Sequence, residues 1–207
     1  MRIFVGIPIS QKLQKEVSQF LAEFSILNSK FLNNVQFPNS KIKFIKPENL
    51  HITLAPPWEA DENQVQSICR SLAGARDDIE PFNIRFTRIE LGPNKHQPRM
   101  IWATGEDSQE IINLKQTIEN HLNLVNIIDG RHLSKQKYRL HCTLARLNSR
   151  YGREANKSAR YGFGTLKKAP LPQEVSWQME VLNFVLYESK LLPGGAEYRV
   201  IQEFKLG

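Results

Sequence analysis

The chain has 207 residues, 41% of them hydrophobic, and a formal net charge of +7, which suffices for one compact domain with a sizeable core. No apolar run reaches the length of a membrane-spanning helix, and Met1 to Pro8 lacks the h-region and small-residue cleavage pattern of a secretory leader. Cys69 and Cys142 lie far apart and outside any Cys-x-x-Cys pair, which argues against a disulfide framework or zinc knuckle and makes a reducing, cytoplasmic compartment the expectation.

Arg2 to Pro8 reads as a first strand. Ser10 is placed to cap a helix in which Leu13, Val17, Phe20, Leu21 and Phe24 form one apolar stripe. Asn28 to Ser40 is a polar connection, followed by a short alternating strand from Ile42 to Ile45. Pro47-Glu48-Asn49 turns the chain into Leu50-His51-Ile52-Thr53-Leu54-Ala55, a strand expected to stop at Pro56-Pro57 because neither proline donates to a ladder. Asp61 and Gln64 have capping-box spacing ahead of Val65, Ile68, Cys69 and Leu72, which predicts a second helix. Phe82 to Leu91 alternates strictly, turns at Gly92-Pro93-Asn94 and is expected to pair with Arg99 to Thr104. Asp107 and Glu110 repeat the capping-box spacing before Ile111, Leu114, Lys115, Ile118 and Leu122, a third helix. Lys137 to Ala145 reads as a strand and Tyr151 to Gly164 as an exposed basic loop. Val175 to Tyr187 and Tyr198 to Lys205 read as two last strands joined across Leu192-Pro193-Gly194-Gly195. Helices interleaved with hairpin-joined strands predict an α+β fold with antiparallel sheets. The order strand, helix, strand, strand, helix occurs about twice, which points to two similar lobes.

Charge is concentrated. From Arg131 to Lys168 eleven Lys or Arg stand against Glu154 alone, so that segment carries +10 and the rest of the chain −3. Such a block suits the rim of a polyanion site, and charge alone suits a solvated loop equally well.

The chemical signature is a repeat: Leu50-His51-Ile52-Thr53-Leu54-Ala55 returns as Leu140-His141-Cys142-Thr143-Leu144-Ala145. Strand alternation puts His51 and Thr53 on one face and Leu50, Ile52 and Leu54 on the other, and the second copy does the same. A single His-x-Thr is ordinarily an exposed polar strand face; its duplication favours one site assembled from two halves. Two imidazoles facing one substrate can act as acid and base together, and a phosphodiester suits that chemistry. Thr53 and Thr143 are placed to donate hydroxyl hydrogen bonds to non-bridging phosphate oxygens. With no His-Glu-x-x-His and no carboxylate inside the motifs, neither a metal nor another cofactor is expected. His96, His121 and His132 read as surface residues and Cys142 as a small core residue.

These motifs resemble those of the 2H phosphoesterases, in particular the RNA 2',3'-cyclic phosphodiesterase or 2'-5' RNA ligase branch. So do Arg2-Ile3-Phe4-Val5, Lys46-Pro47-Glu48-Asn49-Leu50, Pro98-Arg99-Met100-Ile101-Trp102-Ala103 and the tail Ser189-x-Leu191-x-Pro193-x-Gly195-x-x-Tyr198. The resemblance implies a single two-lobed domain over residues 1–207, with pseudo-symmetric antiparallel lobes and a central cleft. It implies that His51 is the general acid, His141 the general base and Arg146 a phosphate ligand beside Thr53 and Thr143. The implied partner is RNA with a 2',3'-cyclic phosphate end, or a related 2'-linked nucleotide, met by a monomer with no membrane involved; the implied product is a 2'-phosphomonoester, with reversible 2'-5' ligation a further activity. A non-catalytic RNA-binding protein, or an enzyme for 2'-5' oligoadenylate or small cyclic nucleotides, stays open as an alternative. The sequence departs from the family where Pro56-Pro57-Trp58 replaces a common Phe-Leu-Gly. Trp58, Tyr151, Tyr161 and Phe163 are candidates either for stacking bases or for local packing.

Overall fold

The computed structural model describes residues 1–27, 42–76, 79–94, 98–125, 138–147, 174–192 and 195–207. Strand β1 (Arg2–Pro8) leads to helix α1 (Gln11–Leu27), where Ser10 Oγ accepts from the Leu13 amide at 3.3 Å. Strand β2 (Ile42–Phe44) and a 3-10 turn (Pro47–Asn49) precede β3 (His51–Glu59). Helix α2 (Glu62–Ala75) opens on the expected capping box, with Asp61 Oδ1 accepting from the Gln64 amide and Gln64 Oε1 from the Asp61 amide. Then come β4 (Phe82–Gly92), β5 (Met100–Gly105), α3 (Gln109–Leu124), β6 (His141–Leu147), β7 (Glu174–Val181), β8 (Asn183–Leu192) and β9 (Gly195–Lys205). The segments Asn28 to Ser40 and Tyr151 to Gly164 lie outside the described residues.

The strands form one antiparallel sheet in the order β7-β4-β5-β6-β3-β1-β8-β9, with β2 also against β6. Counted outward from the centre, β6-β5-β4-β7 and β3-β1-β8-β9 are equivalent half-sheets, which gives the two expected lobes. The halves meet where β3 and β6 share one registered pair, Ile52 opposite Cys142. Farther along β6, its edge pairs with β2 instead, from Phe44 opposite Ala145 to Ile42 opposite Leu147. Both central strands carry the same irregularity. Gly6 pairs with Thr53 and Val5 with Ala55, while Trp102 pairs with Thr143 and Ile101 with Ala145. Leu54 and Leu144 are therefore extra residues at matching β-bulges, so Leu54-Ala55 and Leu144-Ala145 are all buried although adjacent in sequence.

Three expectations are corrected. Strand β3 does not stop at Pro56-Pro57 but runs to Glu59, because a second bulge carries the exposed prolines past β1 before Trp58 pairs with Ile3. Val175 to Tyr187 is not one strand: it breaks at Leu182, β7 pairing with β4 and β8 with β1, so its two parts serve opposite halves of the sheet. The Asp107/Glu110 capping box does not form. Ser108 takes the N-cap position of α3 without a side-chain cap, and Asp107 Oδ1 accepts instead from the Leu140 amide at 2.5 Å, just before His141.

Beneath the sheet, α2 and α3 pack against each other, with Ser71 Oγ donating to the His121 carbonyl at 2.8 Å. Their stripes Val65, Ile68, Leu72 and Ile111, Leu114, Ile118 join Ile52, Leu54, Cys142 and Leu144 in one apolar cluster. No helix among the described residues is long and apolar enough to cross a membrane. Loss of the α2 cap in Asp61→Ala is expected to cost about 1 kcal/mol. Urea denaturation should show a lower midpoint with an unchanged slope; an unchanged midpoint would contradict the cap's contribution.

Candidate active site

Alternation in β3 and β6 sends Ile52 and Cys142 into the core and leaves His51, Thr53, His141 and Thr143 half-buried on the other face. Carrying the Ile52–Cys142 register one residue each way sets His51 beside Thr143 and Thr53 beside His141. The histidines are then diagonal neighbours, with backbones roughly 7–8 Å apart. Each ring is held in the same way. His51 Nδ1 lies 2.8 Å from the Asn49 carbonyl oxygen, and His141 Nδ1 lies 2.8 Å from that of Arg139. Since a carbonyl only accepts, each Nδ1 carries a proton, and each Nε2 is the nitrogen left for a substrate.

The walls differ. The His51 ring packs against Phe4 at 4.9 Å and edge-on against Tyr198 at 5.2 Å. Gly6 lets β1 pack close beneath the ring, because a Cβ there would come within 2.8 Å of the Ile52 carbonyl oxygen and 3.4 Å of His51 Cδ2. Asn49, whose carbonyl holds His51, donates Nδ2 to the Ala196 carbonyl at 3.0 Å and so ties the ring to the β8–β9 hairpin. His141 packs on Trp102 at 4.1 Å, and Trp102 in turn fills the space a Cβ on Gly92 would occupy, 2.5 Å from the indole. Charge surrounds this second ring: Arg139 Nη2 meets Glu90 Oε2 at 2.6 Å, and Glu90 Oε1 accepts from the buried Thr104, the residue opposite His141 in β5.

Burial, the largest cause, holds both imidazoles below the ordinary value of 6.5. For His51, Arg146 and His141 add to the depression and the bond to Asn49 opposes it. For His141, the bond to the Arg139 carbonyl and the charge of Asp107 oppose burial, while the Arg139 guanidinium lowers the value further. Burial pushes the Cys142 thiol up to about 12, as suits a neutral core residue.

His51, Thr53, His141 and Thr143 thus come together as expected, and Arg146 stands exposed on β6 with its charge felt at His51. Thr143 Oγ1 lies 3.9 Å from Met100 Sδ. Trp58 is buried in the core and cannot stack a base; Tyr151, Tyr161 and Phe163 lie outside the described residues. Half-buried His121 lies at the α2–α3 contact rather than on an open surface, and His96 and His132 lie outside the described residues. Of the eleven cations in the basic segment, Arg139 and Arg146 fall within the described residues. Asn49, Trp102 and Tyr198 stand out in the sequence only as family landmarks, and neither Glu90 nor the use of Asp107 is signalled there as part of a site. Among the described residues no group of three or more His, Cys, Asp or Glu is placed to hold a metal ion.

A curled antiparallel sheet that sets two His-x-Thr strands side by side defines a two-histidine phosphoesterase architecture, and comparison with known proteins agrees. The family described as LigT like Phosphoesterase matches residues 7–102. An Archaeoglobus fulgidus protein named RNA 2',3'-cyclic phosphodiesterase is 26% identical over 205 residues, covering 99% of this chain and all of that one. The fold matches a Thermus thermophilus protein with TM-score 0.71 at 20% identity, over 100% of this chain and 98% of that one. It also matches E. coli LigT complexed with 3'-AMP, with TM-score 0.66 at 16% identity, over 99% and 96%. This chain is thus similar to the LigT-like phosphoesterases, in sequence over residues 7–102 and in fold over nearly its whole length.

Because both histidines have folded values below their unfolded ones, the unfolded chain binds more protons as pH drops below about 6.5, and stability falls with it. Melting temperatures measured at about pH 7.5 and about pH 5.5 should therefore drop less for His51→Gln than for the unmutated protein. An equal drop would show that His51 is not held neutral by its surroundings.

Proposed function

We propose that this protein is an RNA 2',3'-cyclic phosphodiesterase that opens the cyclic phosphate to a 2'-phosphomonoester without a metal, acting as a single two-lobed domain over residues 1–207 and as a monomer. The observation that carries this reading is the paired imidazoles, each held through Nδ1 by a carbonyl and each left with Nε2 for the substrate. His141 Nε2 takes a proton from water as the water oxygen bonds to phosphorus. The bond from phosphorus to O3' breaks, and His51 gives its Nε2 proton to O3'. Thr53 and Thr143 donate to the non-bridging oxygens, and the Arg146 guanidinium offsets the charge building there. With a 5'-hydroxyl in the place of water the same forward steps give 2'-5' ligation: His141 takes the hydroxyl proton as its oxygen bonds to phosphorus, the bond to O3' breaks and His51 protonates O3', and the reverse, with protonation states exchanged, cleaves that linkage. The name of the Archaeoglobus relative supports the substrate class. The free cysteines Cys69 and Cys142 support a reducing, cytoplasmic location.

His51 must be protonated to act as the acid, yet burial and Arg146 disfavour that form in the free protein. A phosphate anion seated between them supplies the opposing charge, so the substrate itself restores the proton His51 needs.

The direct test is an RNA oligonucleotide ending in a 2',3'-cyclic phosphate, incubated with chelator present and analysed for product. A 2'-phosphate end is expected, with a loss of about 10³-fold or more in His51→Ala and His141→Ala; full activity in either variant, or dependence on added divalent metal, would overturn the reading. Arg146→Ala removes a positive charge from His51, so its alkaline limb of kcat/KM should move to higher pH while the maximum falls. A limb that stays in place would separate Arg146 from His51.

A further inference from the structure

The pairing of β2 with β6 places Lys43 directly opposite Arg146. Residues so paired project to one face with Cβ atoms roughly 4.5–5.5 Å apart. Both side chains are exposed, and the charge of Arg146 is felt at His51, so this face is continuous with the two-histidine cleft. The place of the Lys43 ammonium is set by the β8–β9 hairpin: a Cβ on Gly195 would lie 2.7 Å from Nζ and 3.1 Å from Cε. Gly195 has φ 133°, a conformation other residues rarely adopt, so backbone and neighbour alike keep the position bare. The next residue, Ala196, accepts the Asn49 side chain whose own carbonyl holds His51. The ammonium is thus positioned by the same hairpin that braces the catalytic ring.

We propose that Lys43 seats a second phosphate of the substrate, the internucleotide phosphate on the 5' side of the terminal nucleotide, next to the reacting phosphate held by Arg146. This rests on the proposed function and adds to it a substrate class, since an RNA end carries two successive phosphates and a nucleoside cyclic phosphate carries one. A ligand with two neighbouring anionic groups can meet both cations at once.

Calorimetric titration tests this with a dinucleotide ending in a 2'-phosphate and with a nucleoside 2'-phosphate, each across a salt series, on the unmutated protein, Lys43→Gln and Lys43→Arg. Lys43→Gln is expected to weaken the dinucleotide about tenfold more than the nucleoside. It should also flatten the dependence of log affinity on log salt by about 0.7 for the dinucleotide, with Lys43→Arg recovering most of both effects. Equal weakening of the two ligands, no weakening, or no binding of the dinucleotide would overturn the proposal. Turnover of the dinucleotide ending in a 2',3'-cyclic phosphate is followed in parallel. Its absence with the Lys43-dependent preference intact would count against the proposed function alone, and its presence without that preference would count against the second phosphate seat alone.

Discussion

Ile52 and Cys142 are the point where the two halves of the sheet touch, and most of the site's geometry follows from that contact. Because the pair is antiparallel and its side chains point into the core, the residues one step either side must share the opposite face. That single constraint gathers two imidazoles and two hydroxyls without any loop having to carry them. The short overlap matters as much as the contact. Past it the edge of β6 pairs with β2 instead of β3. A small thiol suits the junction, since a larger side chain at Cys142 would push the halves apart and misplace all four groups together.

Matching hydrogen bonds and matching bulges make the two imidazoles structurally equivalent, yet their fields differ. His51 stands among rings, with Phe4, Tyr187 and Tyr198 near it. His141 stands among charges, with Asp107 bonded to the amide just before it and the Arg139–Glu90 pair beside it. An apolar wall disfavours an imidazolium until an anion arrives, whereas a neighbouring carboxylate stabilises one as it forms. That difference fits a ring on the His51 side whose protonation depends on bound phosphate, and a ring on the His141 side that accepts a proton during the reaction. The scaffold is shared and the electrostatics differ.

Much of this was legible in the chain. The repeated His-x-Thr strands, the Ser10 and Asp61 caps and the β4–β5 hairpin are local patterns, and local patterns survive folding. What could not be read depends on tertiary partners. Pro56-Pro57 looked terminal because a proline ends a ladder only if its missing amide was needed there, and the bulge removes that need. Val175 to Tyr187 looked like one strand because alternation says nothing of a change of neighbour at Leu182. Asp107 looked like a cap because spacing alone cannot show that the Leu140 amide lies within its reach. Tyr198 reaches His51 through the pairing of β9 with β8 and β8 with β1, a path with no trace in periodicity.

The central claim is that both rings carry their resting proton on Nδ1 and present Nε2 to the substrate. Long-range proton–nitrogen NMR on nitrogen-labelled protein, at a pH where both imidazoles are neutral, reads this directly. Both His51 and His141 are expected to show the Nδ1–H tautomer, and addition of a 2'-phosphate nucleotide should shift His51 toward the doubly protonated form. An Nε2–H tautomer at either ring would mean that its carbonyl contact does not hold it, and the two-histidine mechanism proposed for this cleft would fail.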